Sequence, residues 1–303
     1  MKRVYSGILF IFSLVLANCV GAEPSIIAPT ITETASPIPT STPEPSSLGA
    51  GFRFSTYGIG GNPGPEYFVS VGKQISARFP ASHPEAIWIV GEFFGGGMTY
   101  LSFHAETDDP NVVSGYVDMN EQTLDMFDEN GFKVWLQVEP ANADMITLID
   151  LVMNQYKHHP SVIGFGVDVE WYESDGSPLG TPITDEEAEA WIKAVRAHNS
   201  DYKLFLKHWE TEFMPPTYRE GIVFIDDGQG YASLDEIVNE FSAWGKHFAP
   251  APVGFQYGYL SDKIWWKELQ DPPTEIGKAL LEEIPNTVSL FWVDFTLQEI
   301  FPP

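Results

Sequence analysis

Ile163-Gly164-Phe165-Gly166-Val167-Asp168-Val169-Glu170-Trp171-Tyr172 opens as a buried strand, apolar with glycines, and closes on two carboxylates two residues apart. Side chains alternate between the faces of a strand, so Asp168 and Glu170 are expected to point the same way. Two acids on one face repel each other, and at least one should hold its proton to higher pH than a free carboxyl. A general acid needs that property. The plainer alternative is an acidic strand end salt-bridged to a helix.

Around this stretch, read as a strand over 162–171, seven others share its character: 51–57, 86–93, 133–139, 203–209, 221–227, 252–259 and 288–295. Helical patterns fall between them at 65–79, 120–130, 141–157, 185–199, 234–248 and 274–283. Thr184-Asp185-Glu186-Glu187 reads as an N-cap with acids in the first turn, and Asn130-Gly131 and His198-Asn199 as helix ends. The crossover at 210–220, with Met214-Pro215-Pro216, is poorly helical. Eight strand–helix alternations in about 250 residues predict an α/β fold, the (β/α)8 TIM barrel. An open doubly wound sheet would carry a phosphate loop after its first strand. Gly58-Ile59-Gly60-Gly61-Asn62-Pro63-Gly64 is glycine-rich there but lacks the glycine that starts the helix.

Among the 303 residues, 42 acids outweigh 16 bases for a formal net charge of -26. That excess argues against nucleic acid or an anionic membrane as partner, since phosphate contacts need Lys and Arg. It suits a solvated extracellular protein or a neutral substrate. Aromatics make up 14 % of the chain, with 9 Trp. Many must be core, but the surplus also suits stacking on sugar rings.

Met1-Lys2-Arg3 followed by the apolar run from Ile8 to Leu16 reads as a signal peptide over 1–22, too short for a membrane span. Cys19, after Leu16-Ala17-Asn18, resembles a bacterial lipoprotein processing site, at which the cysteine is lipidated; Asn18 stands where Gly or Ala is usual. Residues 23–50 are rich in Pro, Ser and Thr and read as a disordered linker, leaving 51–303 as the barrel domain. The expected protein is exported, either secreted or held at the cell surface, with membrane contact only through that anchor. Cys19 is the sole cysteine, so the folded part has no disulfide, zinc–cysteine site or cysteine nucleophile.

Barrel active sites lie at the carboxyl ends of the strands. Here those ends carry Glu92, Glu139, Asp168 with Glu170, Lys207-His208-Trp209, Asp226-Asp227, Gln256-Tyr257, and Trp292 with Asp294. Alternation groups Trp135, Gln137 and Glu139 on one face, as it does Trp88, Val90 and Glu92, and Leu290, Trp292 and Asp294. The mixed-polarity faces are expected to point at the barrel axis, bringing Glu92, Glu139, Asp168, Glu170 and Asp294 to one mouth. The first strand has no His-x-His, and neither a Gly-x-Ser-x-Gly elbow nor a phosphate loop is present. His104 and His208 stand alone, so no metal and no cofactor is expected. Carboxylate chemistry of the kind that cleaves glycosidic bonds is what remains. The seventh strand, Gly254-Phe255-Gln256-Tyr257-Gly258-Tyr259, carries no acid. An acid on strand four without one on strand seven points to substrate-assisted cleavage, in which the sugar's own N-acetyl oxygen attacks.

Gly164-Phe165-Gly166-Val167-Asp168-Val169-Glu170 resembles the strand-four motif of glycoside hydrolase family 18, the chitinases and their relatives. The resemblance implies Glu170 as general acid and Asp168 as the residue that orients the acetamide. Lys133-Val134-Trp135-Leu136, Gln256-Tyr257-Gly258 and Phe291-Trp292 are similar to that family's third, seventh and eighth strands. The chain departs from the pattern at Gly166, where the family has a further aspartate, and at Val138-Glu139-Pro140 after strand three. It departs again at Asp226-Asp227-Gly228-Gln229-Gly230-Tyr231, where the family's strand six carries its acetamide-holding tyrosine.

The sequence therefore predicts a glycoside hydrolase acting on a polysaccharide or glycan. Its catalytic candidates are Glu170, Asp168, Glu139 and Asp226. Glu92, His208, Asp227 and Asp294 are candidate substrate contacts, and Trp171, Trp209, Tyr257 and Trp292 candidate stacking rings. Two other classes stay open at this point: a non-catalytic, lectin-like barrel lipoprotein, and a metal-dependent hydrolase using His104 or His208 with the acids.

Overall fold

The computed structural model describes residues 48–303 other than Asn62 and Pro178. The expected signal peptide, Cys19 and most of the expected linker lie outside them. The strands are β1 (Gly49–Phe54), β2 (His83–Gly95), β3 (Met98–Leu101), β4 (Val112–Ser114), β5 (Lys133–Val138), β6 (Val162–Asp168), β7 (Lys203–Lys207), β8 (Ile222–Asp226), β9 (Val253–Tyr257) and β10 (Thr287–Val293). The helices are α1 (Pro65–Ser76), α2 (Glu121–Glu129), α3 (Met145–Tyr156), α4 (Asp185–His198), α5 (Leu234–Phe248), α6 (Lys263–Trp266), α7 (Pro272–Glu283) and α8 (Leu297–Ile300). Eight strands pair in parallel in the order β1-β10-β9-β8-β7-β6-β5-β2, and β1 pairs again with β2 to close the ring. The fold is a (β/α)8 TIM barrel. β3, antiparallel to the overlong β2, and β4 beside it form an excursion at the carboxyl end.

Local chemistry accounts for the crossovers. Thr184 and Glu187 form a reciprocal capping box at the start of α4, and Asp144 and Ser233 cap α3 and α5. α1 and α7 begin with proline, which loses nothing at a position whose N–H has no partner in the helix. After β7 the chain makes only one 3-10 turn, 211–213, before the prolines at 215 and 216 withhold two backbone donors.

Two apolar layers sandwich the sheet. Ile87, Trp135, Phe205, Val223, Ile225 and Phe291 fill the barrel axis. A larger core lies between strands and helices, where Trp88 stacks on Phe54 at 3.9 Å and meets Phe68 and Phe127 edge-on.

The axis layer corrects the expected alternation on two strands. On β5 Trp135 faces inward, as expected. On β2 and β10 Ile87 and Phe291 face inward, whereas Trp88, Leu290 and Trp292 face the helices. Polarity misleads here because the helix-facing layer also takes large aromatics. Trp292 is buried, donates to Thr296 Oγ1 and packs edge-on against Trp266. Tyr257 is likewise buried and donates to the carbonyl of Pro273 in α7. Neither is a platform at the mouth. Asp294 still turns inward, because it lies past the end of β10 in a 3-10 turn, 294–296, that breaks the alternation. β6 also ends sooner than expected. Its last residue is Asp168, and Glu170 sits in a 3-10 turn, 169–171, so strand alternation is not what aims the two acids.

The amino end of the barrel is plugged by Glu85. Its carboxylate accepts from Trp135 Nε1 at 2.8 Å and Ser289 Oγ at 2.7 Å, and lies 2.9 Å from His83 Nε2. A Cβ at Gly49 would stand 1.7 Å from that carboxylate, so any larger residue there would displace Glu85. A similar close fit explains Gly166, where a Cβ would lie 2.1 Å from the Phe205 ring.

Candidate active site

A cleft of about 800 Å3, typical in size for a small-molecule site, opens at the carboxyl ends of the strands. Of the residues singled out in the sequence, Glu139, Glu170, Trp171, Trp209 and Asp227 line it. Lys207, noted at its strand end but not as a site candidate, lines it too, and the structure adds Arg53, Tyr57, Phe93, Gln229, Tyr231, Glu240, Tyr259 and Phe295.

Asp168 forms the floor beneath the cleft and is 1 % exposed. Lys207 Nζ stands 2.7 Å from it and also pairs with Asp227, while Gln137 Nε2 donates to it at 3.2 Å. Burial pushes the Asp168 carboxyl above its usual range, with Lys207 pulling the other way. Burial opposes charge on Lys207 as well, but Asp168 and Asp227 outweigh it and hold the ammonium above its ordinary pKa. One ammonium thus ties two strand ends together.

Glu170 lies above this floor. Burial raises its pKa to about 7; Lys207 opposes the shift, and Asp227 and Glu139 add to it. Trp171 Nε1 donates to Glu170 Oε1 at 2.7 Å, fixing the carboxyl against a ring that itself stacks on Phe93 at 4.5 Å.

Glu139 is the second carboxylate facing the cleft that no cation pairs directly. Tyr57 Oη donates to Oε1 and the Phe93 backbone N–H to Oε2 at 2.7 Å. Tyr57 in turn accepts from Arg53, and Arg53 is ion-paired to Asp294. Burial raises the Glu139 pKa despite these donors.

Several expected contacts lie elsewhere. Asp294 does not line the cleft and is held by Arg53 and by the Ser55 backbone N–H and hydroxyl. Glu92 accepts from the Thr56 N–H and hydroxyl at 2.7 and 2.6 Å, tying down the loop after β1. Asp226 accepts from the Gly228 N–H at 2.8 Å and does not line the cleft, because it is the last inward-to-helix position of β8 and Asp227 takes the axis-facing one. His208 is buried, and burial lowers its pKa. Its Nδ1 accepts from the Glu210 N–H, which leaves Nε2–H for the Leu179 carbonyl at 3.1 Å. With both nitrogens engaged it neither contacts the cleft nor offers a metal a lone pair. His104 is exposed and its Nδ1 lies 3.5 Å from Ser114 Oγ.

Arg53 and Lys207 had a signal in the sequence: each is a lone cation following bulky apolar residues at the carboxyl end of a strand, where only a buried partner of opposite charge makes sense. Tyr57, Tyr259 and Phe295 lie just beyond strand ends, where no periodicity constrains direction.

No protein-family model and no curated protein matches the chain. Solved structures of similar fold include glycoside hydrolases. A β-glucuronidase from an uncultured Clostridium is 13 % identical with a TM-score of 0.41, over 57 % of this chain and 35 % of its own. A Bacteroides uniformis β-glucuronidase is 13 % identical with a TM-score of 0.42, over 75 % of this chain and 27 % of its own. An endocellulase from Pyrococcus horikoshii, solved with cellotetraose, is 12 % identical with a TM-score of 0.42, over 84 % of this chain and 92 % of its own. The chain thus spans well under two thirds of the glucuronidases, and the similarity bears on the barrel alone.

Proposed function

We propose that this protein hydrolyses a glycosidic bond, with Glu170 as the proton donor to the leaving oxygen. The observation that carries the reading is the Glu170 carboxyl in the barrel-mouth cleft, held by Trp171, with burial raising its pKa to about 7. A carboxyl of that pKa still holds a proton to give at neutral pH. Trp171, Trp209, Tyr259 and Phe295 supply flat apolar walls of the kind that hold sugar rings.

Glu139 is the second carboxylate of this mechanism, acting as nucleophile or base. It faces the cleft and is oriented by Tyr57 and a backbone N–H, whereas Asp227 is bound to Lys207 and Asp226 faces away. Asp168 acts as a positioning residue through Lys207. Its burial beneath the cleft supports a protein carboxylate, in preference to a substrate acetamide, as the second group. Arg53 and Lys207 are both occupied by buried aspartates, while Glu139, Glu170 and Glu240 face the cleft without an ion pair, which favours neutral glycans over uronic acids. The charged start, apolar run and Pro/Ser/Thr-rich stretch of residues 1–50 support an exported protein, secreted or surface-tethered.

The test is turnover of neutral polysaccharides by the wild type, E170Q and E139Q. The reading requires both variants to lose turnover while keeping the wild-type circular dichroism. Substantial activity in E170Q would sink the assignment. Saturable glycan binding by a wild type that turns over no member of a broad panel would instead make this a carbohydrate-binding barrel.

A further inference from the structure

The turn that leads into β6 carries two adjacent histidines, His158 and His159, which meet the first turn of α2. We propose that Glu121, His158 and His159 form a binding site for a divalent transition metal, zinc by ligand type. His158 Nε2 lies 2.9 Å from Glu121 Oε1, and His159 Nε2 lies 3.5 Å from Glu121 Oε2. One ligand atom from each of the three residues falls within 4.8 Å of the others. Tetrahedral ligands about 2.0–2.1 Å from zinc stand roughly 3.4 Å apart, so the cluster needs only small adjustments to close on an ion.

His159 separates this cluster from an ordinary surface ion pair. Its side chain is 1 % exposed, and Asp128 Oδ2 takes its Nδ1–H at 2.7 Å. That contact leaves the lone pair on Nε2, which no hydrogen bond reaches. A buried ring nitrogen without a donor is costly to leave empty-handed. A metal ion supplies the missing partner. A carboxylate on the far nitrogen of a ligating histidine is also the usual way proteins fix ring orientation and raise ligand basicity. Asp128 has a second tie, accepting from the Ser161 N–H at 2.9 Å, so its own position is set by the start of β6. Glu121 and His158 are about half-exposed, leaving a route for the ion and room for a water as fourth ligand.

The site lies apart from the cleft. His159 precedes β6 and Glu170 follows it, with the seven residues of that strand, at about 3.3 Å each, between them. The bound ion is therefore structural: it fastens α2 to the turn that feeds the strand on which Asp168 stands.

The experiment uses untagged, chelator-stripped protein and Zn2+ alone, read by titration calorimetry and by the thermal midpoint. One equivalent should bind saturably and raise the midpoint. E121Q and H158A, both at half-exposed positions, should weaken binding tenfold or more. D128N should weaken it by about 10- to 100-fold through the second sphere. No saturable uptake by the wild type, or wild-type affinity retained in both E121Q and H158A, would overturn the site.

Discussion

Both ends of this barrel bury carboxylates, and they treat them in opposite ways. At the amino end Glu85 is satisfied by Trp135, Ser289 and His83, with glycine at position 49 making room for it. At the carboxyl end Asp168, Asp227, Glu139 and Glu170 crowd around one lysine. There Asp168 Oδ1, Asp227 Oδ1, Gln137 Oε1 and Gln256 Nε2 make no hydrogen bond to protein. A carboxylate whose donors are complete is a structural part. Spare acceptors on Asp168 and Asp227, beside the raised pKa values of Asp168, Glu139 and Glu170, are the pattern expected where chemistry is done.

The contrast breaks first at Glu170. E170Q should lower turnover by about 10²- to 10⁴-fold, the usual worth of a general acid, in a steady-state assay. A loss of similar size in E85Q would mean that the two ends are not distinct. Next comes K207M, which should destabilise the fold by about 3–5 kcal/mol in urea unfolding, since it strands two buried carboxylates. E85Q should cost less, about 1–3 kcal/mol, and leave kcat unchanged, because it removes an acceptor from a satisfied site at the far end of the barrel.

The pH dependence is the subtlest test. With Glu170 titrating at about 7, kcat/KM should fall about tenfold per pH unit above that value as the donor loses its proton. The stability sign follows from the same shift. The native pKa is raised above the unfolded one, so the folded state binds more protons, and stability declines as pH rises from about 4.5 through 7. E170Q should therefore melt higher than the wild type at pH 8 and show little advantage at pH 4.

The barrel was plain in the sequence because eight strand-like runs alternate with six helical patterns, and each expected strand forms. Facing was harder to read. On β5 the polar residues did mark the axis, but on β2 and β10 both faces are apolar, and Trp88 and Trp292 proved to be helix-facing. Glu170 lines the cleft, but a 3-10 turn aims it there and not the strand alternation. Tyr57 and Tyr259 went unseen because their direction depends on loop geometry that no local pattern encodes. The Asp168–Lys207–Asp227 cluster is different in kind: its parts were visible at three strand ends, but only closure of the ring shows that one lysine serves two aspartates.

Gly166 under the Phe205 ring carries a consequence for redesign. An aspartate at that position could be accepted only after Phe205 had shrunk, and shrinking Phe205 alone would leave a void in the axis layer. Positions 166 and 205 are therefore coupled across two neighbouring strands, and a designer who enlarges one must reshape the other at the same time.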